Sequence, residues 1–404
     1  MRQRVLILSW EYPPIVEGGL ARHVRKLAEG LVEQGTEVHV LTRGGANRPA
    51  EEERHGVTVH RVAEPDFPKD DLDAFIAWVE RMNRDLATAG ERLGERLEFE
   101  IVHSHDWLVA PAAEQLKDRF GTPWLVTVHA TEHGRHQGWV RKHPQAYIHR
   151  TEREMVRRAD AVITCSDFMR GHVNQVFRVA KRKITTIPNG IDPLDLEPIE
   201  PVDLAELRAR YAAPDERLIL LVGRLVYEKG FHLVLEALPG VVKRLGNVRF
   251  VVCGTGTAEA DLKQQARELE LMKHGSFIGW TGDDTLHALY RVADLCVVPS
   301  IYEPFGLVAL EAMASGCLCL VADTGGLREV VPEDGTAGLR FRARDPRSLG
   351  RMIEKMLSDP QLRERLTAEA RDHVLNFDWA EVALETSKVY EDLIAAAASS
   401  RVAG

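Results

Sequence analysis

No stretch of this 404-residue chain approaches the ~18 consecutive apolar residues of a helical membrane span, and mean hydropathy is slightly negative at −0.21. The chain also lacks a basic excess. Its net charge is −9 and its pI about 6.0, so nucleic acid is not an expected partner, because neutralising a phosphate backbone needs a basic footprint. An anionic substrate would have to find local positive charge against that global field. Cysteine is scarce: Cys165, Cys253, Cys296, Cys317 and Cys319 are odd in number and follow no framework spacing. That excludes a disulfide scaffold and suits reduced thiols in a cytoplasm. Most of the five lie in apolar runs and read as small buried hydrophobes, with Cys317 and Cys319 alternating with Leu318 and Leu320 along one strand. Low-complexity sequence is confined to an Ala-rich tail. The apolar run within Met1–Leu8 is too short for a secretory signal and no small-residue cleavage site follows, so it reads as a first buried strand.

What is present is a repeated α/β theme. Apolar content of 45% and charged content of 28% describe a soluble globular protein, and the length suggests two or three domains of ~150 residues. Short apolar runs alternate with amphipathic stretches, the pattern of a parallel sheet. Strands are expected at Val5–Leu8, Val38–Leu41, Ile101–His103, Trp124–Val128 and Ala161–Thr164. Between the first two, Leu20, Val24, Leu27 and Leu31 recur at helical spacing, with Gly35 as a stop. The theme restarts at Leu218–Val222 and continues through a Phe231–Leu245 helix and strands at Val248–Val252, Ser276–Ile278, Leu295–Val298 and Cys317–Val321. Pro188-Asn189-Gly190-Ile191-Asp192-Pro193 and the Pro- and acid-rich Leu194–Val202 mark a hinge. One domain is therefore expected over 1–192 and another over 193–378. Asp70–Leu97 reads as an acidic surface helix.

The most informative stretch is Pro299-Ser300-Ile301-Tyr302-Glu303-Pro304-Phe305-Gly306-Leu307-Val308-Ala309-Leu310-Glu311. A strand ends at a Pro, a loop carries Glu303, a helix starts near Gly306, and Glu311 follows with seven residues between the two glutamates. A helix N-terminus offers unpaired N–H groups and a positive dipole end to phosphate. Carboxylates beside it can accept hydrogen bonds from sugar or ribose hydroxyls, which describes a nucleotide-sugar pocket. Upstream, the Leu218–Val222 strand delivers Gly223-Arg224-Leu225 and then Glu228-Lys229-Gly230. Arg224 and Lys229 can hold a diphosphate and stabilise the charge it gains on leaving. Glu17-Gly18-Gly19-Leu20 opens the first helix with glycines that let a ligand approach the backbone. Gly254-Thr255-Gly256 matches a dinucleotide fingerprint only in part, because position 259 is Glu259.

These motifs resemble those of retaining family 4 glycosyltransferases of the GT-B type, and most of all the bacterial glycogen and α-glucan synthase branch. The likeness lies in the paired glutamates around Pro304-Phe305-Gly306-Leu307, the Gly-Arg-Leu…Lys-Gly element, and the opening Ser9-Trp10-Glu11-Tyr12-Pro13-Pro14 before Glu17-Gly18-Gly19. The resemblance implies an α/β fold of two Rossmann-like domains with parallel sheets facing each other across a deep cleft. It implies that the last helix, 379–404, completes the first domain. It assigns the first domain to the acceptor and the second to the nucleotide-sugar donor. Glu303, Arg224, Lys229 and His129 take catalytic roles, with His129 on the donor sugar. Gly18, Gly19, Gly223, Gly254, Gly256, Phe305, Gly306, Leu307, Val308 and Glu311 bind the donor. The base is read near Gly254 and Gly279-Trp280-Thr281. The implied reaction is glucosyl transfer from ADP-glucose or UDP-glucose to the non-reducing end of an α-1,4-glucan, without cofactor or metal.

Candidate acceptor residues are Asp106, Trp107 and Ser166. Asp106 and Trp107 suit a sugar site, and equally suit a helix cap with a buried Trp. Ser166 fits both a cap of the helix near Asp167 and a family position near the acceptor. Asn189-Gly190 matches a family motif, for which a turn is sufficient reason. His133, His136, His143 and His149 crowd one region, but no i, i+4 pair comes with a carboxylate, so the loop reads as one that grips sugar hydroxyls. A same-fold transferase with a lipid or small-molecule acceptor, or a maltose-1-phosphate-forming synthase, is the alternative. Against a lipid, Arg22, Arg25 and Lys26 make only a small basic patch.

Overall fold

The computed structural model describes residues 3–16, 18–44, 50–64, 68, 72–197 and 202–403. Glu17, Asp70 and 198–201, which figure in the motifs above, lie outside the described residues. The chain forms two compact units, one of Met1–Gly190 with Trp379–Gly404 and one of Ile191–Asp378. No helix among the described residues is long and apolar enough to cross a membrane.

The first unit is built on an eight-stranded sheet of β1 (Arg4–Leu8), β2 (Glu37–Arg43), β3 (Glu51–Arg54), β4 (Val57–Val62), β5 (Ile101–His105), β6 (Trp124–Val128), β7 (Ala161–Thr164) and β8 (Ile184–Thr186). The order is β3-β4-β2-β1-β5-β6-β7-β8, and every pair but β3–β4 is parallel. In β1, Ile7 lies opposite Val40 on one side and His103 on the other. Val5, Leu6, Ile7 and Leu8 are fully buried, because helices cover both faces of a parallel sheet and leave no polar side to alternate with.

The Gly19–Glu33 helix buries Val24, Leu27, Ala28 and Leu31 in the same core as Val382, Ala383 and Tyr390 of the Trp379–Ala403 helix. Gly30 permits this approach, since a Cβ there would stand 2.9 Å from the Ala383 Cβ. The Tyr390 hydroxyl is 2.7 Å from His103 Nδ1 in the interior. Tyr390→Ala is therefore expected to cost about 3–5 kcal/mol as a large-to-small core change. Tyr390→Phe, which only strands the histidine nitrogen, should cost about 1–3 kcal/mol. Urea denaturation reads both, and an alanine variant within about 1 kcal/mol of wild type would contradict the helix's place in this core.

The second unit carries β9 (Arg217–Val222), β10 (Val248–Cys253), β11 (Gly275–Gly279), β12 (Leu295–Val298), β13 (Cys319–Ala322) and β14 (Leu339–Phe341), in the all-parallel order β11-β10-β9-β12-β13-β14. The expected strand over Cys317–Val321 is corrected here. Ser315 and Gly316 (φ 78°) close the preceding helix, the Cys317 N–H bonds back to Ala312, and β13 begins only at Cys319. All five cysteines are buried and none forms a disulfide.

Candidate active site

In an open parallel sheet, ligands bind outside the C-terminal ends of the strands where the strand order reverses. In the second unit that point is β9, which has β10 on one side and β12 on the other. The loops after β9 and β12 thus carry Arg224, Lys229 and Glu303 out of neighbouring strands.

Backbone contacts lock these loops together. Glu228 O accepts the N–H of Ile301 at 2.8 Å and of Tyr302 at 3.3 Å. Gly230 (φ 69°) must be glycine, because a Cβ would lie 2.1 Å from Pro299 O. Held this way, Lys229 Nζ donates to Glu303 Oε2 at 2.7 Å, and Ser300 Oγ donates to the same oxygen at 2.8 Å. Glu303 is 8% exposed. Arg224 is exposed on the same loop as Lys229.

The glycines explain the partial fingerprint. Gly223 and Gly254 have φ near 140°, and a Cβ on Gly254 would sit 1.9 Å from Gly223 O. Gly223 N–H bonds Cys253 O, and Leu225 N–H bonds Thr255 O, so the turns after β9 and β10 clasp each other backbone to backbone. A Cβ on Gly256 would lie 2.4 Å from Leu225 O. Among the other expected donor residues, Gly306 (φ 130°) caps the eight-residue Leu307–Ala314 helix, with Leu307 and Val308 half-buried in its first turn. Phe305 is buried and packs edge-on against Phe377. Glu311 is 9% exposed, and Oε2 accepts the Tyr290 hydroxyl at 2.9 Å. Burial first, and then Glu311, keep the Tyr290 phenol far above its ordinary range, so it stays a donor.

Sequence reasoning missed two parts of this site. Tyr290 sits on the apolar face of the Asp283–Val292 helix and carries no local signal. Gly325 and Gly326 support Glu303 from behind: Gly326 N–H bonds Glu303 O at 2.9 Å, and a Cβ on Gly325 would meet that oxygen at 2.2 Å. A Gly-Gly pair just past a strand was their available signal, the same one that marked Gly18-Gly19.

In the first unit the strand order reverses at β1, flanked by β2 and β5. Gly18 N–H bonds Glu11 Oε2 at 3.2 Å, and Gly18 and Gly19 are exposed at the start of the helix. Asp106 takes a positive φ of 58°, and its side chain caps nothing. Oδ1 instead accepts the His129 N–H at 2.7 Å, so the carboxylate fixes the backbone where β6 ends. Burial raises its pKa to about 6, against the pull of Arg135 and of the N–H groups of His129 and Ala130. Trp107 is 5% exposed and packs edge-on to Phe75, which turns most of its ring away from solvent. Ser166 Oγ caps the Asp167–Phe177 helix at the Met169 N–H. The region after His129 is a short Glu132–Arg135 helix capped by Thr131, with Glu152 Oε1 accepting the Glu132 N–H.

His129 meets partners distant in sequence. His105 Nδ1 lies 3.0 Å from His129 Nε2, His23 crosses His129 edge-on at 4.5 Å, and His23 Nδ1 is 2.9 Å from Asn189 Oδ1. Burial drives His129 down to about 3 and His23, His103 and His105 well below their ordinary value, so these rings are neutral at physiological pH.

Residues 17–194 match the model of Glycosyltransferase Family 4, and residues 204–373 that of Glycosyl transferases group 1. A glycogen synthase of Mycobacterium tuberculosis is 37% identical over 399 residues, covering 96% of this chain and 94% of that protein. The chain belongs to the GT-B glycosyltransferases of family 4 type. A D-inositol 3-phosphate glycosyltransferase of Stackebrandtia nassauensis is 30% identical over 418 residues, covering 97% of this chain and 92% of its own. Among solved structures, a sucrose-phosphate synthase from Thermosynechococcus elongatus superposes with a TM-score of 0.82 at 26% identity, covering 98% of this chain and 100% of that one.

As a glycosyltransferase of this type the protein is a hexosyltransferase. Each unit can supply a different kind of contact. The second offers two cations and a carboxylate fixed by its own backbone, and the first offers neutral imidazoles beside an anchored loop.

Proposed function

We propose that this glycosyltransferase moves glucose, with retention of configuration, from ADP-glucose or UDP-glucose to the non-reducing end of an α-1,4-glucan. The observation that carries the reading is the Lys229–Glu303 pair, an ammonium and a carboxylate 2.7 Å apart at a sheet switch point. A pocket for a sugar bound to a diphosphate needs both signs there. The bond from the anomeric carbon to the diphosphate breaks, the bond to the acceptor hydroxyl forms on the same face, and the acceptor proton passes to the departing diphosphate. Arg224 and Lys229 neutralise the charge that develops, which needs no metal and no cofactor. Glu303 accepts from the sugar hydroxyls and Glu311, steadied by Tyr290, from the ribose hydroxyls. Buried cysteines outside disulfides support a reducing compartment such as the cytoplasm. The glucan acceptor is supported by the identity to a relative that bears the name glycogen synthase.

Trp280 is 76% exposed just past the end of β11, next to the Gly254 turn through the Gly254 N–H bond to Gly279 O. As a stacking platform for the base it would contribute about 1–3 kcal/mol, the range of aromatic–base stacking. Trp280→Ala should then raise the donor KM about 5- to 150-fold with kcat little changed. An unchanged KM would remove Trp280 from the base site.

The reading is tested by nucleoside diphosphate release from ADP-glucose, UDP-glucose and GDP-mannose, each with and without glycogen. Glycogen-dependent release from one glucose donor, with an α-linkage in the product, is the expected result. Release with a small acceptor alone would favour the second reading, a transferase to an inositol phosphate, lipid or maltosyl-phosphate-forming acceptor. The relative with a D-inositol 3-phosphate name supports that second reading.

A further inference from the structure

We propose that His23, His105 and His129 bind a zinc-class transition metal ion in the first unit, and that filling this site stops sugar transfer. The second half rests on the reading above, which assigns His129 to the sugar.

The three side chains come from neighbouring parts of one rigid edge. His23 lies on the helix after β1, His105 is the last residue of β5, and His129 directly follows β6. One ring nitrogen of each lies within 4.8 Å of one from each of the others. A tetrahedral zinc ion at about 2.0–2.1 Å from each nitrogen needs them roughly 3.3 Å apart. The rings must therefore close by about 1.5 Å at most.

The hydrogen bonding separates this set from an ordinary buried histidine cluster. His103, whose ring centroid is 4.4 Å from that of His105, has both nitrogens engaged, one with the Tyr390 hydroxyl and one with Thr127 Oγ1. His105 is fully buried, yet its Nε2 has no partner among the described residues. Its Nδ1 faces only another imidazole, His129 Nε2 at 3.0 Å, so His105 is not held by a full set of protein partners as His103 is. His23 is held as metal-binding histidines are held. Asn189 Oδ1 can only accept, which places the proton on Nδ1 and leaves the lone pair on Nε2. Three imidazoles without a carboxylate select zinc, cobalt, nickel or copper over magnesium or calcium. Arg135 opposes a cation here, while the Asp106 carboxylate on the His129 N–H favours one. A metal takes the His129 ring out of sugar contact, so occupancy and turnover exclude each other.

The test is titration of the full chain with Co²⁺, followed by visible d–d absorption and by displacement with Zn²⁺. One site per chain is expected, with affinity reduced about 100-fold or more in His105→Gln and in His23→Gln. His143→Gln, at an exposed histidine paired with Asp73, should bind as wild type. Should either variant fail to fold, X-ray absorption of the zinc-loaded wild type counts the imidazole ligands directly, and three are expected. Absence of d–d absorption at millimolar Co²⁺, unchanged binding in both variants, or fewer than three imidazoles would overturn the site. Zinc should also abolish nucleoside diphosphate release, with recovery on chelation. Binding at the triad with transfer unimpaired would overturn the inhibitory role. A chain that transfers no sugar to any acceptor would instead sink the functional reading, while the Co²⁺ titration still decides the site.

Discussion

Lys229→Ala is expected to lower kcat about 10²- to 10³-fold, and Arg224→Ala about 10²-fold, with smaller changes in donor KM. In the proposed reaction both cations act where charge develops as the sugar leaves its diphosphate, and a fixed donor in a partly dry site is worth several kcal/mol in the transition state. The two should differ in one respect. Lys229 is paired with Glu303, whose side chain is 11% exposed, whereas Arg224 is exposed on the loop. Removing the ammonium leaves a nearly buried carboxylate to which the Ser300 hydroxyl still donates, at a stability cost of about 1–3 kcal/mol. Arg224→Ala should carry little such cost. The double variant Lys229→Met with Glu303→Gln separates the effects, because it removes both charges and should recover stability without activity. Single-turnover release of nucleoside diphosphate together with urea denaturation reads all four proteins. Near-normal turnover in both single variants would remove the electrostatic mechanism.

The parts of this site that the sequence reveals are those whose cause is local. Strand ends followed by glycine, and charged residues at the tips of such loops, located Arg224, Lys229, Glu303 and Glu311 on the right loops and helix. The buried parallel strands showed as apolar runs for the same reason that helices cover both their faces. The β3–β4 hairpin left no such run. Its outer strand, Glu51-Glu52-Glu53-Arg54, is an exposed edge made of charge, and the turn at His55-Gly56, both with positive φ, joins it to β4. What is invisible is what depends on long-range closure. Asp106 reads as a cap or a sugar ligand, but its carboxylate finds the His129 N–H across two strands. Histidines gather from distant parts of the chain: His23, His103, His105 and His129 come from separate strands and a helix, and His133 meets His149 and His172 from other helices. No local spacing encodes either result.

Lowering the pH from 7 to 5 is expected to unfold the first unit while the second stays folded. A histidine whose folded pKa is depressed binds its proton more weakly in the native state. The stability it contributes is complete above the unfolded value near 6.5 and is lost as pH falls toward the folded value. His129 at about 3 thereby costs roughly 2 kcal/mol at pH 5. His23, His103 and His105, also depressed by burial, act in the same direction, as does His172 at about 4. Asp106 works the other way. Its raised pKa of about 6 returns roughly 1 kcal/mol over the same interval, because the folded carboxyl takes up the proton more readily than the unfolded one. Glu152, which burial also pushes well above its ordinary value, acts with Asp106, but five depressed imidazoles stand against these two carboxyls, so acid on balance removes stability from a marginally stable fold. The loss is readable without labels, because Trp10, Trp78, Trp107, Trp124, Trp139 and Trp379 lie in the first unit and Trp280 in the second. Tryptophan emission should shift to the red with a midpoint between pH 5 and 6.5, before hydrogen exchange rises in β9–β14. His103→Gln should move that midpoint to lower pH by removing one titrating ring. Cooperative loss of both units at one pH, or no change in the variant, would show that the buried imidazoles do not set the acid limit.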